Sequence, residues 1–265
     1  MIHLFALLSL LLCGVCYTGF QNSSHFRNTG SRRSLLLLVF GGALLLRLLL
    51  AYTTHGFSND IACFAAWADR IFTLGPRQFY SAEMFTDYPP GFMYVLYLIG
   101  ALRSLLQIPY YSDLHILLLK LPAILCDIAC GFLLYREAVK RLHFSDLQGI
   151  FAASAYLFQP AVILNSSCWG QVDSVYTLMI ILMCLFLMKG NLLPAYAVYG
   201  LGVLLKPQML IFTPVLLAGI WDHVFLQDFS WRKFFYNLCG GLVVICGMLL
   251  LCAPFGLTAA ISQYT

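Results

Sequence analysis

Charge is what this sequence has least of. Lys, Arg, Asp and Glu together make up 10% of its 265 residues, against about 25% in an average soluble domain. No stretch between its apolar runs is long and polar enough to form a soluble domain. A cysteine framework is also missing: most of the ten cysteines lie inside apolar runs, as Cys126, Cys130, Cys184, Cys239, Cys246 and Cys252 do, where Cys behaves as a small apolar residue. Cys13 and Cys16 form a C-x-x-C without the strand-to-helix setting of a redox motif. The first run, HLFALLSLLLCGVCYTGF, has no basic n-region and no clear cleavage site, so it reads as an extra helix or an uncleaved anchor. The net charge of +4 says little about partners, because loop cations in membrane proteins chiefly record topology; no nucleic-acid partner is expected.

What is present in quantity is apolar chain. Hydrophobic residues make up 61% and the mean hydropathy is +0.85, the composition of an all-α, polytopic membrane protein. Against the roughly 20 residues that cross a bilayer, apolar runs occur at 2–20, 34–53, 91–107, 114–135, 148–165, 174–188, 192–205, 208–226 and 235–254. Two parts are expected: residues 1–33, a hydrophobic segment and a basic cytoplasmic stretch, and residues 34–265, a transmembrane module. The closing LTAAISQYT follows an apolar run without a final element, which suggests the front part of a longer protein.

The tendency of Lys and Arg to stay cytoplasmic orders these runs. If 91–107 spans, Arg136, Lys140, Arg141, Lys189, Arg232 and Lys233 all fall outside. If it lies along the outer interface or re-enters, those six join Arg27, Arg32 and Arg33 inside. The second arrangement is strongly favoured. It leaves on the outer face a long loop from about residue 54 to 113, the NSSCWGQVDS hinge (165–174), the Lys206-Pro207-Gln208 hinge and the chain end. The unusual polar residues thus collect on one face.

The loop carries two informative stretches, GFSNDIACFAAWADRIFTLGPRQFY (56–80) and FTDYPPGFMY (85–94). Asp60, Phe64, Trp67 and Ile71 recur at three- and four-residue spacing and share one face of a short helix, expected to lie on the membrane. The paired prolines hold Asp87 and Tyr88 extended and start the next helix after them.

These stretches resemble the GT-C superfamily of polyprenyl-phosphate-sugar-dependent glycosyltransferases, and within it the GPI-mannosyltransferase-related membrane proteins of bacteria. The matching elements are Arg47 late in the first core helix, GFSNDIACFAAWADR, Phe79-Tyr80, DYPPGF, LKLPAILCD (119–127), LFQPAVILNSSCWGQVDS (157–174) and LKPQ (205–208), spanning roughly residues 40 to 215. The resemblance implies a GT-C-like helical module whose long extracytoplasmic first loop carries interfacial helices. It also implies an inverting transferase that moves a sugar, expected to be mannose, from a polyprenyl or dolichyl phosphate to a glycan, glycolipid or protein. In such enzymes an aspartate early in the first outer loop is the base, and Asp60 matches it.

One carboxylate suffices for that chemistry, since a lipid phosphate is already a good leaving group and the acid of glycoside hydrolysis is not needed. No D-x-D pair occurs, so a sugar diphosphate bridged by a divalent metal is not expected and no cofactor is called for. Trp169, Gln171 and Asp173 are expected beside Asp60, the ring offering a flat surface to a sugar and the polar groups bonding its hydroxyls. Lys206 is the candidate for the donor phosphate, with Arg70 and Arg77 behind it; Asp87, Tyr88 and Gln208 complete the substrate-binding set.

Each of these residues has a plainer reading. Asp60 or Asn59 would cap the loop helix and Asp173 the next one, Asp87 would stabilise a turn, Trp169 would anchor at the interface, and Lys206 would snorkel. Lys120 and Asp127, seven residues apart in one apolar run, suggest pairing with Arg47 or Arg103 ahead of catalysis. The sequons at Asn22 and Asn165 are not expected to be modified. The rival functions are a transporter or flippase of lipid-linked sugars, whose polar site would sit at the bilayer midplane, and a non-catalytic subunit of a glycan-assembly complex. A bacterial cell membrane is the expected location, or the endoplasmic reticulum in a eukaryote.

Overall fold

The structure is a computed structural model that describes residues 29–81, 85–227 and 229–261. The run at 2–20, with Cys13, Cys16, Asn22 and Arg27, lies outside the described residues. Helices α1 (Thr29–Thr53), α2 (Ser58–Leu74), α3 (Pro90–Leu105), α4 (Asp113–Lys140), α5 (Asp146–Leu157), α6 (Pro160–Ile163), α7 (Asp173–Met188), α8 (Leu192–Leu205), α9 (Thr213–Trp221), α10 (Trp231–Cys252) and α11 (Leu257–Ile261) account for most of it. No strand occurs among the described residues. The described residues are all-helical, as expected from the sequence.

Among the described residues, four segments are long and apolar enough to cross a membrane: Arg32–Thr53, Asp113–Lys140, Pro207–Leu226 and Trp231–Phe255. They match the expected runs at 34–53, 114–135, 208–226 and 235–254. The run at 148–165 is a broken pair, α5 and the segment Pro160–Trp169, bent by 51°. Pro160 is the cause: it opens α6 at its first turn with Gln159 extended before it, because proline cannot continue a helix into its own N–H position. The runs at 91–107, 174–188 and 192–205 form shorter apolar helices.

Local signals fix the boundaries. Ser112 caps α4 by accepting from the His115 amide, and Ser145 with Gln148 forms a reciprocal capping box on α5. Pro89 precedes α3 in extended conformation and Pro90 takes its first turn. Asp60 lies inside the first turn of α2, and Asp173 is the first residue of α7.

The chain divides into two compact units, residues 1–61 with 111–174, and residues 62–110 with 175–265. In the first, Val39 and Ala43 of α1 pack with Ile150, Ala153 and Leu157 of α5. Gly131 of α4 lets α5 approach α4 closely, since a Cβ there would fall 2.6 Å from Leu157. In the second, Met183, Ala195, Tyr196, Val203, Met209 and Leu216 form one core. Phe64, Trp67 and Ile71 of α2 share a face, as their spacing predicts, but that face is a protein core: all three are buried, and Phe64 packs edge-on against Tyr88 and Phe92.

Candidate functional site

Residues 164–171 form a turn built by an unusual helix end. A π-helical stretch, Leu164–Trp169, follows α6 and stops at Gly170, which is left-handed at φ 91°. The amides of Gly170 and Gln171 both donate to the Asn165 carbonyl, at 3.1 and 3.0 Å. Glycine is required at 170 twice over, because a Cβ there would also fall 2.5 Å from Ile61.

The turn is fastened to the segment that joins α1 to α2. The Phe57 amide donates to Trp169 O at 2.8 Å, and the rings of Phe57 and Trp169 lie 5.1 Å apart. Gly56, left-handed at φ 79°, leaves room for that carbonyl, which a Cβ would approach to 2.7 Å. Within the first turn of α2, Asp60 Oδ2 accepts from Trp169 Nε1 at 2.9 Å and from Gln171 Nε2. Both bonds use one carboxylate oxygen; Oδ1 takes part in neither. Asp60 and Gln171 are partly exposed and Trp169 is exposed. Asp173 is turned elsewhere, accepting from Asn165 Nδ2 at 2.9 Å.

Two buried cations support this surface. Lys120 Nζ donates to Thr54 O at 2.7 Å, Thr54 Oγ1 at 3.1 Å and Ala51 O at 3.3 Å, and so holds the C-terminal end of α1. Thr54 Oγ1 in turn donates to Leu50 O at 2.6 Å and lies 3.3 Å from Ser167 O. Arg47 pairs with Asp127, Nε to Oδ2 at 3.1 Å, and donates to Leu157 O at 2.7 Å. Asp127 also accepts from Ser166 at 2.6 Å, Tyr156 at 3.3 Å and Ser174. Arg47, Lys120 and Asp127 are fully buried. Of the pairings expected, Arg47 with Asp127 is present; Lys120 is held by backbone oxygens, and Arg103 pairs with Asp69.

The remaining candidates belong to the second unit. Lys206 is 9% exposed, its ammonium 5.7 Å from the Tyr88 ring and 5.6 Å from the Tyr176 ring, as cation–π contacts. Tyr88 is itself held, its carbonyl accepting from Tyr80 OH at 2.9 Å. Arg70 is committed to the following loop, donating to Phe79 O at 2.9 Å, Gln78 O at 3.1 Å and Ser81 Oγ at 3.0 Å. Asp87, Gln208 and Arg77 are exposed.

Sequence reasoning missed Thr54 and Tyr176. Thr54 follows the last helical residue of α1, a position where a hydroxyl commonly bonds back to the preceding turn. Tyr176 gave no signal beyond its aromatic character. No protein-family profile matches the chain, and no curated protein matches it either.

Proposed function

We propose that this chain is an inverting membrane glycosyltransferase of GT-C type, using a sugar linked to a polyprenyl or dolichyl phosphate. The observation that carries the reading is the Asp60 carboxylate, held through Oδ2 by Trp169 and Gln171 with Oδ1 outside both bonds. A base needs that arrangement, since one oxygen held in place leaves the other aimed and available.

In the proposed step the acceptor hydroxyl gives its proton to Asp60 Oδ1 while its oxygen attacks the anomeric carbon. The bond from that carbon to the phosphate oxygen breaks, and the lipid phosphate leaves with the electron pair. Attack from the side opposite the leaving group inverts the anomeric centre. Trp169, exposed and steadied by Phe57, offers the sugar a ring face. A cation for the departing phosphate rests on the sequence resemblance, with Lys206 as its candidate. Mannose as the sugar, like the acceptor classes of glycan, glycolipid or protein, rests on the sequence resemblance alone.

The test is transfer of labelled sugar from polyprenyl-phosphate mannose in membranes carrying wild type or Asp60→Asn at matched protein levels. The reading expects transfer in wild type and its collapse in the variant. A flippase would tolerate the change, because it moves its cargo without deprotonating it; unchanged activity removes Asp60 from the mechanism.

A further inference from the structure

The second unit contains an apolar groove of about 400 Å³, whose walls include Tyr196 and Gly200 of α8, Ile220 of α9, and Phe234, Asn237 and Gly241 of α10. α9 and α10 belong to two of the segments able to cross a membrane, and only 17% of each apolar window is buried within the protein. In a membrane, faces of such helices that no protein covers meet hydrocarbon.

Gly241 shows that the groove is left open by the sequence. Glycine inside a helix is disfavoured against alanine, and close packing or positive φ usually explains it. Neither applies here: a Cβ at Gly241 would meet nothing within 4 Å, and its φ is not in the left-handed region. The space is kept without a protein group to fill it.

One end of the groove is basic. Leu193 and Tyr196 of α8 lie against Gly240 of α10, and Gly200 lies against Val244 and Met248, so the two helices run in the same direction and begin at the same end. Lys189 stands just before α8, Arg232 and Lys233 lie in the first turn of α10, and all three are exposed. The His223 ring packs on Gly190 at that end, 2.6 Å from where a Cβ would be. Asp222, held by Gln227 at 2.7 Å, is a carboxylate in the same region, and Asp228 lies outside the described residues. Lys233 precedes Asn237 by four residues and shares its helix face. Asn237 Oδ1 accepts from Tyr196 OH at 3.3 Å, a polar step between the cations and the apolar wall.

We propose that this groove binds an anionic phospholipid of the bilayer, its phosphate between Lys189 and Lys233, its glycerol region beside Tyr196 and Asn237, and an acyl chain along Gly241. The charge is complementary, the polar step lies where the ester groups would fall, and the medium supplies the ligand. By the distribution of cations this is the cytoplasmic leaflet. The groove lies apart from Lys206, which stands beyond the opposite end of α8, a helix of 14 residues, about 21 Å at 1.5 Å per residue.

The test reconstitutes the full chain into vesicles of equal phosphatidylcholine and phosphatidylglycerol, extracts it in mild neutral detergent and measures the retained lipids by mass spectrometry. Wild type is expected to retain phosphatidylglycerol in excess of its bulk share. Lys189→Gln with Lys233→Gln should lower that excess by about fivefold per charge, while the two arginine replacements preserve it. Gly241→Leu should lower retention of both lipids, with Gly241→Ala as a milder control and the unfolding midpoint as a check on folding. Retention at the bulk ratio in wild type, or an excess unchanged in the double Gln variant, overturns the proposal.

Discussion

Asp60 and its two donors set the smallest scale at which function is encoded. Replacing the carboxylate by an amide of the same shape keeps one oxygen to accept from Trp169 and Gln171 and puts an NH2 donor where the second oxygen stood, so Asp60→Asn removes the proton acceptor with little change of shape. Loss of a general base lowers turnover by about 10² to 10⁴, and turnover with polyprenyl-phosphate mannose is the measurement. Gln171→Ala removes one of two donors and leaves the base in place; a smaller fall, within about tenfold, is expected at saturating donor. A Gln171→Ala loss as large as that of Asp60→Asn would mean that the two act as one unit. The association of Asp60 with Trp169 and Gln171 was legible in the sequence only through the resemblance, because no local pattern ties residue 60 to residues 109 and 111 positions away. Lys120 shows the opposite case. Its burial in an apolar run suggested pairing or function, yet its acceptors are the Ala51 and Thr54 carbonyls and the Thr54 hydroxyl at the end of α1, and backbone acceptors leave no mark in a sequence.

At the scale of elements, composition and proline placement carried most of what was legible. The five longest apolar runs in the described range appear as four span-length segments and one bent pair; the start of α3 falls at the paired prolines as expected, whereas the run at 148–165, read as continuous, is broken at Pro160. The π-helical stretch before Gly170 was not legible, since an i to i+5 bond depends on how the preceding turn is held and not on residue type. That stretch makes Gly170 the most constrained position of the site. Gly170→Ala forces a left-handed alanine, about 1 to 2 kcal/mol, and drives its methyl into Ile61. The expected result is a lowered unfolding midpoint together with loss of transfer. Ile61→Val as a second change should recover part of both by relieving the clash. Lys120→Met acts on the same turn from beneath, leaving Thr54 O and Ala51 O without their donor at about 1 to 3 kcal/mol. Its measurable effect is on stability first and on turnover through the Thr54 contact.

For the whole molecule the question is which side of the membrane each end of a helix occupies. Cation counting leads to the expectation that 91–107 lies along the outer interface; α3 is a 16-residue helix, shorter than the roughly 20 residues that a crossing requires. α8 is shorter still, at 14 residues, yet the same counting makes it pass from Lys189 inside to Lys206 outside. About 21 Å of helix against about 30 Å of hydrocarbon would leave Lys206 below the outer surface, where a cation survives only if protein surrounds it. Tyr88 and Tyr176 supply that surrounding. A reporter enzyme active only outside the membrane, fused after Asn191 or after Gln208, decides the matter. Activity is expected for the second fusion and not for the first. The reverse result would place Lys206 on the cytoplasmic side and end its role with an extracytoplasmic donor, whereas equal activity in both would show that α8 does not cross.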